Sequence, residues 1–427
     1  MKKQFQLTAI SEGWFVSSAL IGCIVGVAFS GELSDRFGRK KLLLFAALLF
    51  FISACACTLT DSLFWIIAAR IVAGIGIGVA SIIVPLYISE ISPAAIRGRL
   101  VTFYQLAVTI GILFAYLSNA FLLNYSTAHQ HTSLTGLSHF LYITEVWRGM
   151  FSVLIVPSLL FFIGLLSVPE SPRWLMLKGR EEEALNTMEK ISGDKSQSLL
   201  DLAAIKKNKH SDSASYGQLL DPGMRRALLI GLMLPFLSQL SGINAIIYYG
   251  PTILHNAGIT MRDSLFSQII FGAAIVLFTF IAIFKVDNTG RRRLYLIGTI
   301  GATLSLFTTG LLFCLGYTSG IGLLVSVLVF LASFAFSIGP LKFVVASEIF
   351  PGAIRGRAMA LSIMVMWVAD TIVGQLTPIS LDKLGIAGTF WFFAFFCFVG
   401  FLFILKYLPE TKGKSLEEIE DYWKGVH

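Results

Sequence analysis

The sequence predicts an all-α membrane protein built from two repeated helical bundles, and three observations lead there. Of its 427 residues 56% are hydrophobic and only 14% charged, with a mean hydropathy of +0.77. A soluble chain needs far more polar surface, so the apolar excess must face lipid. Apolar runs recur at residues 42–59, 151–168, 267–284, 321–346 and 391–408. Each is near the roughly 20 residues that a helix needs to cross the hydrocarbon core, whereas a barrel would show short alternating segments. Finally, the chain repeats itself: SEISPAAIRGR from Ser89 returns as SEIFPGAIRGR from Ser347, with nine of eleven positions identical.

The formal charge of +8 suggests nucleic acid only until the basic residues are located. They cluster in short loops, at Arg36, Arg39, Lys40 and Lys41, at Arg97 and Arg99, at Arg225 and Arg226, at Arg291, Arg292 and Arg293, and at Arg355 and Arg357. The intervening loops at 124–147 and 316–320 carry no Lys or Arg. This alternation is the positive-inside rule, which puts the basic loops and the C-terminus in the cytoplasm. The protein is expected as a multi-pass cell-membrane protein, of a bacterial inner membrane, with the bilayer rather than nucleic acid as its macroscopic partner. All five cysteines lie in apolar runs and read as packing residues. Residues 1–10 are short and polar, and no small-residue cleavage site follows the first apolar run, so no cleavable signal peptide is expected.

Taken in order, a first span over about residues 13–30 ends at DRFGRKK, which begins at Asp35. Later spans carry Arg70 in ARIVAGIGIGVAS and Gln105 in TFYQLAVTIGI. The loop that follows holds His129, His131 and His139, but no carboxylate until Glu145, so solvated loop histidines are expected and no metal. The longest polar stretch, 169–224, separates an N-terminal bundle (1–168) from a C-terminal six-helix bundle (225–408) and a cytoplasmic tail (409–427). Within that linker GREEEALNTMEKI sets Ala184, Leu185, Met188 and Ile191 on one face, which predicts cytoplasmic helices. DRFGRKK is answered by DNTGRRR, SEISPAAIRGR by SEIFPGAIRGR and PESPRWL by PETKGKSLEE, at offsets of 252, 258 and 240 residues. Two like-oriented repeats with a substrate between them are the plan of an alternating-access transporter. The N-terminal half has one span before its basic loop where the C-terminal half has two, so about eleven spans are expected, one short of twelve.

Acids and bases in the repeated phrases sit at cytoplasmic helix ends, where charge is tolerated. They are expected to form a cytoplasmic gate: Glu90 with Arg97, Glu348 with Arg355, and Asp35 and Asp287 with arginines of the opposite half, Arg39 and Arg291 among the candidates. The alternative is that they only fix topology.

GELSDRFGRKK at 31–41 resembles the signature loop of the major facilitator superfamily. PESPRWLMLKGREEEA at 169–184, SQLSGINAIIYYGP at 238–251 and PETKGKSLEE at 409–418 resemble its sugar porter branch, across essentially the whole chain. The resemblance is to bacterial proton-coupled pentose and hexose symporters. It implies a major facilitator fold, a mid-membrane cavity and, as partners, a monosaccharide or related polyol and a proton, with no cofactor, no catalytic residue and a monomeric state. By that resemblance Gln105, Gln239, Asn244, Tyr248, Phe343 and Trp367 are substrate-binding residues. Such groups suit a sugar, since amides and hydroxyls donate and accept while an aromatic face covers its C–H side.

The chain departs from the pattern at Ser238, Ile275, Phe343 and Met366, where the family has polar or larger aromatic contacts, and at Lys342, where it is uncharged. The acid thought to carry the coupling proton belongs to the span that is lacking, which leaves its expected partner Arg70 in need of another neutralising group. Asp370 lies 13 residues beyond Arg357, about 20 Å of helix rise, and so deep in the bilayer. It is expected either to hydrogen-bond substrate, to pair with Lys342 or to carry the coupling proton. A sugar–proton symporter is the leading expectation. An uncoupled facilitator, or a non-transporting sensor or remnant, is the alternative, and an enzyme is not expected.

Overall fold

A computed structural model describes residues 4–92, 97–129, 136, 139–193, 198–199, 224–256, 260–317, 321–350 and 355–412, with the backbone alone at 97–99, 101–102, 192, 256, 282–289, 347 and 355. Among them are eleven helical segments long and apolar enough to cross a membrane. With no water in the hydrocarbon layer, backbone groups must pair within their own segment, and these apolar runs therefore fold as helices.

The first half comprises α1 (Ala9–Phe37), α2 (Arg39–Leu59), α3 (Leu63–Ile91), α4 (Arg97–Ala128), α5 (Val146–Ser152) and α6 (Ile155–Ser167). α1 and α3 meet through small residues. A Cβ on Gly22 or Gly26 would lie 2.2 or 2.3 Å from the carbonyls of Ile71 and Ile75. Lipid tails are as apolar as the helices, so close backbone approach holds such a pair together. Two short helices follow on the basic side, α7 (Pro172–Leu177) and α8 (Glu181–Ser192). They bury Trp174, Leu175, Met176 and Ala184, with Leu185 and Met188 against them. Ile191, expected on that face, is instead exposed in the last turn of α8. The remainder of the expected helical linker lies outside the described residues, apart from 198–199.

The second half comprises α9 (Arg225–Leu240), α10 (Ile243–Asn256), α11 (Met261–Thr289), α12 (Arg291–Cys314), α13 (Ile321–Ser333), α14 (Gly339–Ile349), α15 (Arg355–Lys383) and α16 (Gly385–Tyr407). α9 and α10 form one span broken at Ser241–Gly242. A π-helical turn at Phe334–Ile338 joins α13 to α14. The halves meet along α1 with α15 and along α4 with α11.

Candidate substrate and coupling site

The break between α9 and α10 builds the centre of the site. Gly242 has φ +84°, a left-handed conformation that side chains disfavour, and a Cβ there would lie 2.5 Å from the Phe393 ring. The turn brings Gln239, at the end of α9, against Asn244, at the start of α10. Asn244 Nδ2 donates to Gln239 Oε1 at 2.9 Å and to Asp370 Oδ1 at 2.7 Å. One helical turn further, the Tyr248 hydroxyl donates to Asp370 Oδ2 at 3.1 Å. Trp367, one turn before Asp370 on α15, has its indole Nε1 buried and without a partner. Thus Gln239, Asn244, Tyr248 and Asp370 come together as one polar cluster, in which Asp370 is only 1% exposed.

The other candidates are placed differently. Lys342, also buried, donates to Ser238 Oγ at 3.1 Å, and its Nζ lies 5.2 Å from the centroid of the Phe343 ring. It makes no direct ion-pair contact with Asp370 among the described residues, so the Lys342–Asp370 pair weighed from the sequence is at most a longer-range charge interaction. Gln105 is half-buried on α4 and has no hydrogen-bond partner among the described residues. Arg70 is satisfied by α1: its Nε donates to the Phe15 carbonyl at 2.7 Å, and its guanidinium stacks 4.3 Å from the Phe15 ring. Backbone carbonyls and an aromatic face take the place of a carboxylate there.

At the basic face Arg39 and Arg291 each bind an acid of their own half, and Asp35, expected to reach an arginine of the opposite half, pairs with Arg39 instead. Arg39 binds Glu90 at 3.0 Å and Asp35 at 3.1 Å, and Arg291 binds Glu348 at 3.0 Å. Glu90 and Glu348 therefore each face the basic residue that begins a neighbouring helix. The ion pairs among the described residues join no residue of one half to the other. The side chains of Arg97, Asp287 and Arg355 lie outside the described residues.

Sequence reasoning missed the acids that organise this face. Glu170 accepts from the backbone N–H of Arg39 and Lys40, and Glu410 from those of Arg291 and Arg292. The hydroxyls of Ser171 and Thr411 then donate to Glu90 and Glu348. The repeat of PES in PET was the available signal. At the opposite end α1 and α15 are closed tightly. Ser17 Oγ donates to Gln375 Oε1 at 3.3 Å, Gln375 Nε2 donates to the Ile10 carbonyl at 3.3 Å, and a Cβ on Gly13 would lie 2.8 Å from the Gln375 carbonyl. These neutral contacts carry no charge pattern, and nothing in the sequence singled them out.

The profile of the family described as "Sugar (and other) transporter" matches residues 2–423. The chain belongs to this sugar transporter family. Among curated sugar transporters, the arabinose-proton symporter of Bacillus subtilis is 40% identical over 99% of this chain and 89% of its own. The D-xylose-proton symporter of Escherichia coli is 37% identical over 96% of this chain and 86% of its own. Among solved sugar transporters, the partially occluded inward open conformation of the E. coli xylose transporter aligns with a TM-score of 0.80, at 36% identity over 94% of this chain and 88% of that one. The same transporter bound to 6-bromo-6-deoxy-D-glucose aligns with a TM-score of 0.76.

Proposed function

We propose that this protein is a secondary active transporter that moves a monosaccharide or related polyol across the cell membrane in symport with a proton, by alternating access. The single observation that supports the substrate class most directly is the cluster of Gln239, Asn244 and Tyr248 around Asp370, one helical turn from the unpartnered Trp367 indole. Neutral donors and acceptors with an aromatic face are what a polyhydroxylated ring requires. A buried donor left without a partner is costly, so Trp367 Nε1 suits a ligand oxygen. Gln105 and Phe343 complete the substrate contacts from α4 and α14. Arg70, Lys342 and Asp370 are the charged groups available for coupling.

In this reading the units 1–168 and 225–408 rock against each other, the linker 169–224 and tail 409–427 lie on the cytoplasmic side with the basic loops, and the protein acts as a monomer and a transporter, not an enzyme. Asp35, Arg39, Glu90, Arg97, Asp287, Arg291, Glu348 and Arg355 form the cytoplasmic gate. The close contact of Gly13 with Gln375 at the far end and the likeness to an inward open relative favour an inward-facing state.

The test is uptake of labelled L-arabinose, D-xylose, D-glucose and myo-inositol into proteoliposomes under an imposed proton gradient. Accumulation of at least one above its external concentration is expected, and binding without transport would point to a sensor instead.

A further inference from the structure

Asp370 is a carboxylate deep in a transport bundle, and it is bonded to the same groups that a sugar would use. Asn244 has two amide hydrogens, and both are committed, one to Gln239 Oε1 and one to Asp370 Oδ1. Tyr248 has one hydroxyl hydrogen, and it goes to Asp370 Oδ2. An ionised carboxylate only accepts, and hydrogen bonds to it are roughly twice as strong as neutral ones. A neutral sugar hydroxyl therefore competes poorly for Asn244 and Tyr248 while Asp370 is charged. Once Asp370 carries a proton those bonds become neutral, and its own O–H adds a donor. The Trp367 indole, on the same face of α15, is then joined by further donors.

The other charged or titratable groups around Asp370 leave it the one placed for this task. Lys342 on α14 has its field at Asp370 but donates to Ser238. Cys23 on α1 lies close enough to interact with the carboxylate charge but makes no hydrogen bond to it. Tyr249 on α10 donates to the Gly374 carbonyl at 2.8 Å. Arg70 on α3 is held by the α1 carbonyls and has no ion-pair partner among the described residues. From α9 only neutral Gln239 and Ser238 enter the cluster. Cys397, on α16, sits with its thiol towards the Ser241 carbonyl.

We propose that Asp370 is the proton switch of the substrate site: ionised, it occupies the Asn244 amide and the Tyr248 hydroxyl, and protonated, it releases them to the sugar. The proton comes from water on the side where the sugar enters and is lost to water on the other side. Loss of the proton re-forms both bonds and expels the sugar. This rests on the sugar–proton reading above and locates the coupling in the second half of the chain.

The sign follows from linkage. If sugar binds the protonated form, affinity is full at acid pH and falls by up to about tenfold per pH unit once Asp370 ionises. The test measures binding of radiolabelled L-arabinose, D-xylose, D-glucose and myo-inositol to the purified full-length protein across a pH series. For each probe that binds, wild type should weaken with rising pH at that slope, and Asp370→Asn should keep one affinity throughout. Infrared difference spectra across the same series should show a protonated carboxyl band that Asp370→Asn lacks. An unchanged pH slope in Asp370→Asn, or wild-type affinity that rises with pH, overturns the switch while leaving sugar binding intact. The second result would mark Asp370 as a plain acceptor of sugar hydroxyls. Binding of none of the four probes overturns the sugar reading and the switch together.

Discussion

Glu170 accepts the backbone N–H of Arg39 at 3.0 Å, and so closes the first turn of α2 with a side chain from 131 residues away. Glu410 does the same for Arg291 at 2.8 Å at the start of α12. Each acid satisfies helix amides that have no partner in their own helix and places negative charge at the positive end of the helix dipole. Glu170→Ala and Glu410→Ala should each lower stability by about 0.5–2 kcal/mol, the usual cost of a lost cap. Thermal unfolding in detergent measures it, and an effect confined to one half would show that the repeated caps are not equivalent.

The two repeated ion pairs should differ in strength. Arg39 and Glu90 have side chains only 5% and 3% exposed, while Arg291 and Glu348 are 15% and 23% exposed. Removing one partner of a buried pair strands the other, which costs about 3–5 kcal/mol, whereas more hydrated pairs approach about 0–1 kcal/mol. Arg39→Ala should therefore destabilise more than Arg291→Ala. Equal unfolding midpoints would contradict the difference in burial.

Gly13 allows α1 to close against α15 at the end remote from the basic loops. Gly13→Trp should hold that end apart, because even a Cβ would lie 2.8 Å from the Gln375 carbonyl. Spin labels at the ends of α1 and α15 would report a longer distance in the variant, and transport should fall even where sugar still binds. An unchanged distance would show that the contact is not a gate.

Gln239→Ala removes the acceptor of one Asn244 hydrogen and a buried amide from the proposed sugar site. Sugar binding should weaken by roughly 1–3 kcal/mol, the scale of one buried polar group left unsatisfied. Calorimetry with the preferred sugar decides it, and a loss below a few tenths of a kcal/mol would remove Gln239 from the site.

Hydrogen exchange gives an independent check on the short helices of the basic side. Amides at Trp174–Met176 and Ala184–Met188 should exchange slowly because their side chains form one packed cluster, and Ile191 should exchange quickly. Uniformly fast exchange would mean that α7 and α8 do not dock.

The spans, the repeat and the depth of Asp370 were determined by the sequence itself. Each depends on local properties, since a bilayer selects about 20 apolar residues wherever they occur and a helix rises a fixed distance per residue. The break at Ser241–Gly242, the pairing of Arg39 with Glu90, and the capture of Asn244 and Tyr248 by Asp370 were decided only by the tertiary structure. These bonds join residues 51, 126 and 122 positions apart, so no local pattern encodes them. Charge spacing along the chain pointed Glu90 towards an arginine seven positions on. Helix packing also sets it against the first turn of α2, where a buried carboxylate finds the cation that the fold brings to it.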